Sequence, residues 1–513
     1  MGRVSDRPIG AGVAANRFLP LAAIVGAALV LTLPAALGPT RLNDSFWIDW
    51  VWLDQFAREF GRGVIYPRWL PLSHAGLGSP VFYYYPPLAF FAASPFVLGG
   101  MSSYGALLAT FGAAYALSGA AMYWWLKPQS RHPLAGAFAF MVAPYHAFNF
   151  YNRGAIAEFL ATAILPLVLA GLWRMKHRKR GGFALTAVAY AALIDTHLPL
   201  ALLASVFLIG PILLLEGYKS PKDIAPAVVA LAIGIALAAI YWIPAIFLEP
   251  YRDSAKLWAD PVLQPSNWTF WNPAFAGSPA YVAVLVIGAA LAIPLVGLVV
   301  RQRSGWAAFG LLCVALAIGV IPVLWSLPLL RSVQFPFRLL PVAEFALATA
   351  VARAAWRPQA LAVALAPLLA ISGFIMTEPP AEQGVSKADV ELSHADVPEN
   401  LPPGNRPYSW PSRWALQIAA AHPSAQFDGR MTVEPVFYFP AWQVRCEGRV
   451  VRTFPAPGTQ LLAYAGRGCS RTLVVTRAER IGTALSLIAL LLLVTLQLIP
   501  ALRRPLNRSG TGA

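Results

Sequence analysis

Charge is scarce in this chain: of 513 residues only 12% are Asp, Glu, Lys or Arg, against 58% hydrophobic. That balance, with a positive mean hydropathy, fits polytopic membrane proteins and not soluble globules. Cysteine is nearly absent, with three residues, and there is no Cys-x-x-Cys pair to bind zinc or run redox chemistry. Also missing are a Walker loop, a dinucleotide fingerprint, His-Glu-x-x-His and a Gly-x-Ser-x-Gly elbow, which argues against nucleotide-driven chemistry. The formal net charge of +16 does not point to nucleic acid. Its cations collect in short loops between apolar runs, and no basic-aromatic module accompanies them.

What the chain has in quantity is apolar sequence. A span needs roughly 20 such residues, and candidates run over 18–38, 83–100, 103–126, 133–150, 156–173, 182–195, 198–216, 224–246, 281–300, 305–325, 337–355, 358–376 and 481–502. Arg3, Arg7 and Arg17 precede the first run as in a signal sequence. The run is longer than the usual signal core and is read as a retained helix, with cleavage after Ala36 as the alternative. The loop Arg174-Met-Lys-His-Arg-Lys-Arg180 is the strongest cytoplasmic marker. It falls inside only if one early run fails to cross. Run 83–100 is the candidate, because it opens on three tyrosines and two prolines and ends in Gly-Gly, which suits an interfacial or re-entrant helix. The expected fold is all-α and polytopic, with about 12 crossings and both termini cytoplasmic. The larger loops, 39–102, 247–280, 326–336 and 377–480, then share the outer face.

Residues 377–480 are polar, Pro-rich at first and then alternating. Stretches such as Met431–Phe439, Trp442–Cys446, Leu461–Tyr464 and Arg471–Val475 read as short strands. The expected division is a membrane module over 1–376, a small extracytoplasmic β-rich domain over 377–480 that caps the site, and a last helix with its tail over 481–513. Cys446 and Cys469 are placed to form a disulfide if that domain is outside the cytosol, and Cys313, inside a span, reads as packing.

Several clusters carry the means for chemistry. Asp44-Ser-Phe-Trp-Ile-Asp49, followed by Asp54, comes directly after the first helix. A five-residue offset on a helix puts two side chains roughly 140° apart, so Asp44 and Asp49 need not share a target. One carboxylate is suited to act as general base or to hold a metal, and a solvated acidic helix is the plainer reading. Glu158, in Tyr151-Asn-Arg-Gly-Ala-Ile-Ala-Glu158, and Arg153 lie at the edge of a span, where ionisable groups are costly. A helix-tying Arg–Glu pair is the competing account. Arg252, in Glu249-Pro-Tyr-Arg252, with Lys256 a turn later, and Arg338, in Gln334-Phe-Pro-Phe-Arg338, suit an anionic group such as phosphate. Snorkelling to a lipid headgroup is the alternative for Arg338. His146 and His197 lie in short turns on the same side.

With those residues in view, the chain resembles the GT-C superfamily of integral-membrane glycosyltransferases, and within it the bacterial membrane proteins labelled pyruvoyl-tetrahydropterin-synthase-related. The carriers are Asp44, Tyr66-Pro-Arg-Trp69 with Gly76-Leu-Gly78, Tyr85-Pro-Pro-Leu88, the 151–158 cluster, His197, Gln334-Phe-Pro-Phe-Arg338 and Phe437-Tyr-Phe-Pro-Ala-Trp442. The resemblance implies inverting transfer of a sugar from a polyprenyl-phosphate donor to a glycan, lipid or protein acceptor of the envelope, at the outer face of the bacterial inner membrane. It implies Asp44 or Asp49 as base, with Glu158 in a second acidic position. Arg252, Arg338, Lys256 and Arg153 would then face the donor phosphate. Arg68, Tyr84, Tyr85, His146, His197 and Gln334 are the candidates for acceptor or substrate contact. One departure is Asp49, where relatives often carry His, and the choice between the two aspartates stays open. The pterin label implies no chemistry, since no pterin-synthase zinc site is present. No cofactor is marked by the sequence, and the carboxylates alone do not distinguish a magnesium or manganese site from a metal-free base. The rival classes are a flippase or transporter of lipid-linked intermediates, which should show internal repeats, and an inactive assembly partner.

Overall fold

In a lipid environment a chain must satisfy its own backbone N–H and C=O groups, and Ala-, Leu- and Val-rich runs do so as helices. The computed structural model describes residues 10–215, 220–272, 278–355, 358–379, 387–388, 396–403, 426–427 and 431–498. Helices dominate. Prolines open many of them at the first turn, where the missing N–H costs nothing.

From the N-terminus come α1 (Gly10–Leu37), α2 (Phe46–Gly61), α3 (Val81–Tyr84), α4 (Leu88–Leu98), α5 (Ser103–Leu126), α6 (Pro133–Met141) and α7 (Pro144–Phe148). A π-turn (Asn149–Arg153) leads into α8 (Ile156–Lys176), followed by α9 (Gly182–Thr196), α10 (Leu198–Ala204), α11 (Gly210–Leu215), α12 (Pro221–Leu237) and α13 (Ala239–Phe247). Then come α14 (Ser254–Ala259), α15 (Pro279–Gln302), α16 (Gly305–Ala317), α17 (Pro322–Trp325), α18 (Pro328–Arg331), α19 (Leu340–Arg353), α20 (Pro358–Thr377) and α21 (Arg477–Leu498).

Among the described residues five helices are long and apolar enough to cross a membrane, or six if the bent pair α12–α13 (63° at the break) is one span. Other expected spans are shorter or interrupted. The 133–150 run breaks at Val142–Ala143, because Pro144 cannot continue a helix from α6. The 198–216 run is interrupted by a π-turn at Ser205–Ile209. Within 337–355 the helix is α19, with Leu340 to Ala352 all buried, so it is packed by protein on every side. Run 83–100 is divided by Tyr85-Pro-Pro into α3 and α4. The 11 residues of α4 rise only about 16 Å, short of a hydrocarbon core of ~30 Å.

The C-terminal β region forms two antiparallel sheets. One has the order β1 (Gln426–Phe427), β2 (Thr432–Phe437), β6 (Leu461–Tyr464), β5 (Thr453–Pro455), and the other β4 (Arg449–Val451), β3 (Trp442–Cys446), β7 (Cys469–Leu473). Cys446 and Cys469 are opposite each other in the β3–β7 register and are disulfide-bonded. Cys313 is free and buried. The region sits on the 39–102 segment. Phe437 N–H donates to the Leu77 carbonyl at 2.8 Å, the Trp69 ring meets Phe439 and Trp442, and Tyr83 meets Phe439 with centroids 4.6 Å apart. These residues share one hydrophobic cluster, separate from the helical core.

Candidate active site

The N-terminus of α8 is the organising point. Its first turn carries Glu158, buried at 1% exposure, where a carboxylate gains from the helix dipole. Oε1 accepts from the Tyr145 hydroxyl at 2.5 Å. Oε2 accepts from Arg153 Nη1 at 2.7 Å and Arg338 Nε at 3.2 Å, with His197 Nε2 3.9 Å away. Two cations thus converge on one anion. Glu158 is an arginine counter-ion with no oxygen open to a substrate.

Arg153 ends the π-turn, and the next residue, Gly154, has φ +62°. A Cβ there would lie 2.1 Å from the Phe46 ring, so glycine is what lets the turn close against α2. Arg153 Nε reaches Asp44 Oδ2 at 3.2 Å. Asp44 is held at φ +45° by a strap of hydrogen bonds: Ser45 N–H to Arg153 O at 2.8 Å, Asn43 to the carbonyls of Tyr151 and Asn152, and Arg41 Nη1 to Tyr151 O at 2.8 Å. Its side chain is 51% exposed, which makes it the open carboxylate of the cluster. Asp49 is 1% exposed, and its Oδ2 accepts the Ile156 N–H at 3.2 Å. It therefore caps α8, and burial above all pushes its carboxyl well above the usual carboxylate range. The two aspartates approach the same turn from different sides, one exposed and one capping.

Arg338 enters from the opposite wall. Its Nη1 donates to Val333 O at 2.7 Å and to Gln334 Oε1 at 2.9 Å, and its guanidinium lies 4.8 Å over the Phe335 ring. Arg338, Gln334, His197, Tyr85, Arg252 and Glu399 line a cavity of about 250 Å³. Arg252 pairs through Nε with Glu249 at 2.7 Å and lies 4.9 Å over Tyr84, whose hydroxyl is spent on Leu248 O at 2.7 Å. Arg252 Nη1 and Nη2 and Arg338 Nη2 have no hydrogen-bond partner among the described residues. His197 accepts the Leu200 N–H at Nδ1 (3.2 Å), which leaves the proton on Nε2. Burial first, then Arg338 and Arg153, push its pKa down to about 3 against the pull of Glu158, so the imidazole is neutral.

The remaining expected residues lie elsewhere. His146 is buried against Glu344 (2.8 Å) among aromatic rings, away from the cavity. Arg68 is stacked 3.7 Å over Tyr66 and spends its donors on Glu479 (3.1 Å), Ile240 O (2.8 Å) and Phe82 O (3.3 Å). It lines a separate cavity of about 350 Å³ beside Trp69, Tyr83 and Trp442. The side chain of Lys256 lies outside the described residues.

Some contributors were not singled out from the sequence. Glu399 lines the cavity, and burial first, with Asp396 adding and Arg252 opposing, raises its carboxyl to about 7. Glu344 accepts the Tyr145 N–H at 2.6 Å and so holds the tyrosine that holds Glu158. Its signal was an acid inside an apolar run, functional by default. For Glu399, in a Pro-rich stretch, the sequence offers no signal. Among the described residues no three His, Cys, Asp or Glu side chains converge on one point.

A family model described as "6-pyruvoyl-tetrahydropterin synthase related domain; membrane protein" matches residues 82–379. Among solved structures, the arabinofuranosyltransferase AftD from Mycobacteria is similar at 19% identity and a TM-score of 0.45, over 70% of this chain and 26% of that one. A structure of a variant of the same protein gives 18% identity and a TM-score of 0.46, over 70% and 28%. This chain thus spans about a quarter of the length of that protein. Comparison with curated proteins finds no match. The family match takes in more than half of the sequence, from α3 through α20, and the chain belongs to the 6-pyruvoyl-tetrahydropterin synthase related family of membrane proteins.

Proposed function

We propose that this protein is a membrane glycosyltransferase that moves a sugar from a polyprenyl-phosphate donor to a hydroxyl of an envelope glycan, lipid or protein. The observation that carries the reading is the cavity of about 250 Å³, where Arg252 and Arg338 both keep guanidinium N–H groups without a hydrogen-bond partner among the described residues. Two fixed planar cations of this kind suit a phosphate leaving group. Asp44, exposed and oriented by Arg153, is the base. It takes the acceptor proton as the acceptor oxygen attacks the anomeric carbon. The bond from that carbon to the phosphate oxygen breaks, and the electron pair leaves with the lipid phosphate, whose charge the arginines stabilise. Such a single displacement inverts the anomeric centre. The neutral His197 and Gln334 supply hydrogen bonds to the sugar or phosphate. The site is assigned to the extracytoplasmic face of the bacterial inner membrane, with both termini cytoplasmic, because the basic loop at 174–180 is at the other end of α8.

In vitro transfer from defined polyprenyl-phosphate sugars tests this, with Asp44→Asn and Asp49→Asn beside wild type. Asp44→Asn is expected to lower kcat by about 10²-fold or more, and Asp49→Asn to act mainly through stability. Full activity in Asp44→Asn would remove it as the base. Lipid movement across vesicles without any transfer product would favour a flippase. Reporter fusions at residues 102 and 128 check orientation: an external 102 and a cytoplasmic 128 are expected.

A further inference from the structure

A second built cavity lies at the far end of α8. From Glu158 to Arg174 the helix rises about 24 Å, and there a pocket of about 510 Å³ is lined by Trp124, Trp125, Trp173, Lys127, Arg174 and Lys179. The Arg174 guanidinium lies 5.5 Å over the Trp124 ring, with Nη2 donating to the Arg180 carbonyl. Trp125 is anchored by its indole N–H on Thr349 at 3.3 Å, whereas Trp124 is 41% exposed. The walls come from α5 and α8, which pack against each other.

The sequence leaves these cations without local counter-charge. No Asp or Glu occurs from residue 60 to 157 or from 159 to 194. Among the described residues none of Lys127, Arg174 or Lys179 is in an ion pair. Position at a helix C-terminus accounts for some attraction to basic residues, but it does not call for a concave pocket walled by three indoles. Indoles favour the headgroup level of a bilayer, and basic pockets between helices at that level suit phospholipid headgroups. A zwitterionic headgroup would bring its ammonium against three cations with no carboxylate to receive it.

We propose that this pocket binds the headgroup of an anionic phospholipid from the adjoining leaflet. Lys127, Arg174 and Lys179 hold the phosphate, and the tryptophans pack the glycerol and upper acyl chain. The site is independent of the transfer reading above.

The test is native mass spectrometry of the full chain released from mixed phosphatidylglycerol–phosphatidylcholine nanodiscs. Wild type is expected to retain phosphatidylglycerol over phosphatidylcholine by about tenfold. Lys127→Gln with Arg174→Gln should lose that preference, and Lys179→Gln alone, at an exposed position, should weaken it without touching the fold. Arg301→Gln with Arg303→Gln, cations at a helix end outside the pocket, should keep it. Equal retention of the two lipids, an unchanged preference in the Lys127/Arg174 variant, or the same loss in the Arg301/Arg303 variant would overturn the proposal. So would displacement of the lipid by millimolar inorganic phosphate or by polyglutamate, which would assign the pocket to a free anion or an acidic protein.

Discussion

Arg338 Nε donates to Glu158 Oε2 at 3.2 Å across 180 positions of sequence. Arg153, on the far side, reaches the same oxygen at 2.7 Å. Glu158 therefore fixes where both guanidinium groups sit. Glu158→Gln keeps the shape but removes the anion and leaves two buried cations short of compensation, at a cost of about 3–5 kcal/mol. Thermal unfolding in detergent should show this loss, whereas a purely catalytic carboxylate would leave the melting temperature near wild type.

Arg252 belongs to the same cavity but is bound more loosely, since its partner Glu249 is 39% exposed. Arg252→Gln is expected to raise the donor KM by roughly tenfold with little change in thermal stability. Arg338→Lys should raise KM and also lower stability, because an ammonium cannot reproduce the fork that spans Glu158, Val333 and Gln334. Titrating donor in the transfer assay separates the two.

On the transfer proposed above, Glu399, with a carboxyl raised to about 7 by burial, is expected to make donor binding depend on pH. Below that value it is neutral. Above it the carboxylate offsets Arg252 and repels a phosphate, so KM should increase as pH rises from 6 to 8, and Glu399→Gln should flatten the curve. The stability sign agrees: folding favours the protonated form, so this group's contribution is fully present below the ordinary carboxylate range and is lost as pH rises through about 7. A rise of kcat with pH, with KM flat, would instead mark Glu399 as the base.

The disulfide closes a loop with a sequence separation of 23. Cys446→Ser with Cys469→Ser is expected to destabilise the β region by about 3 kcal/mol. Limited proteolysis should then cut between β6 and β7, near Gly466 and Gly468, before any helix is cleaved.

Much of this architecture is legible from local pattern. Trp442–Cys446 and Leu461–Tyr464 alternate or bury as strands should, and the Tyr85-Pro-Pro break stops α3 because proline lacks the N–H a helix needs. The site is legible as residue types but not as an arrangement. Asp44 and Asp49 look alike in sequence. Only the turn at 149–156 decides that one is exposed on Arg153 and the other buried beneath Ile156. Arg68 and His146 read as substrate contacts, since a polar residue at a membrane edge gives no sign of whether its partner is a ligand or another helix. What surrounds a helix is hidden in the same way: Leu340–Arg353 is apolar like a lipid-facing helix yet is enclosed by protein.

The salt bridge from Arg68 to Glu479, and the hydrogen bond from Phe437 to Leu77, have a consequence for biosynthesis. The partners on one side are made early, and those on the other emerge only with β2 and α21. While the chain is being synthesised, Trp69 and Tyr83 lack the Phe439 and Trp442 rings they pack on, and that aromatic face stays bare until the β region has been made. Ribosome stalling or truncation anywhere before α21 would therefore release a membrane-inserted protein with this face unfinished. Such a product is a natural substrate for membrane quality-control proteases, even where its earlier helices have already assembled.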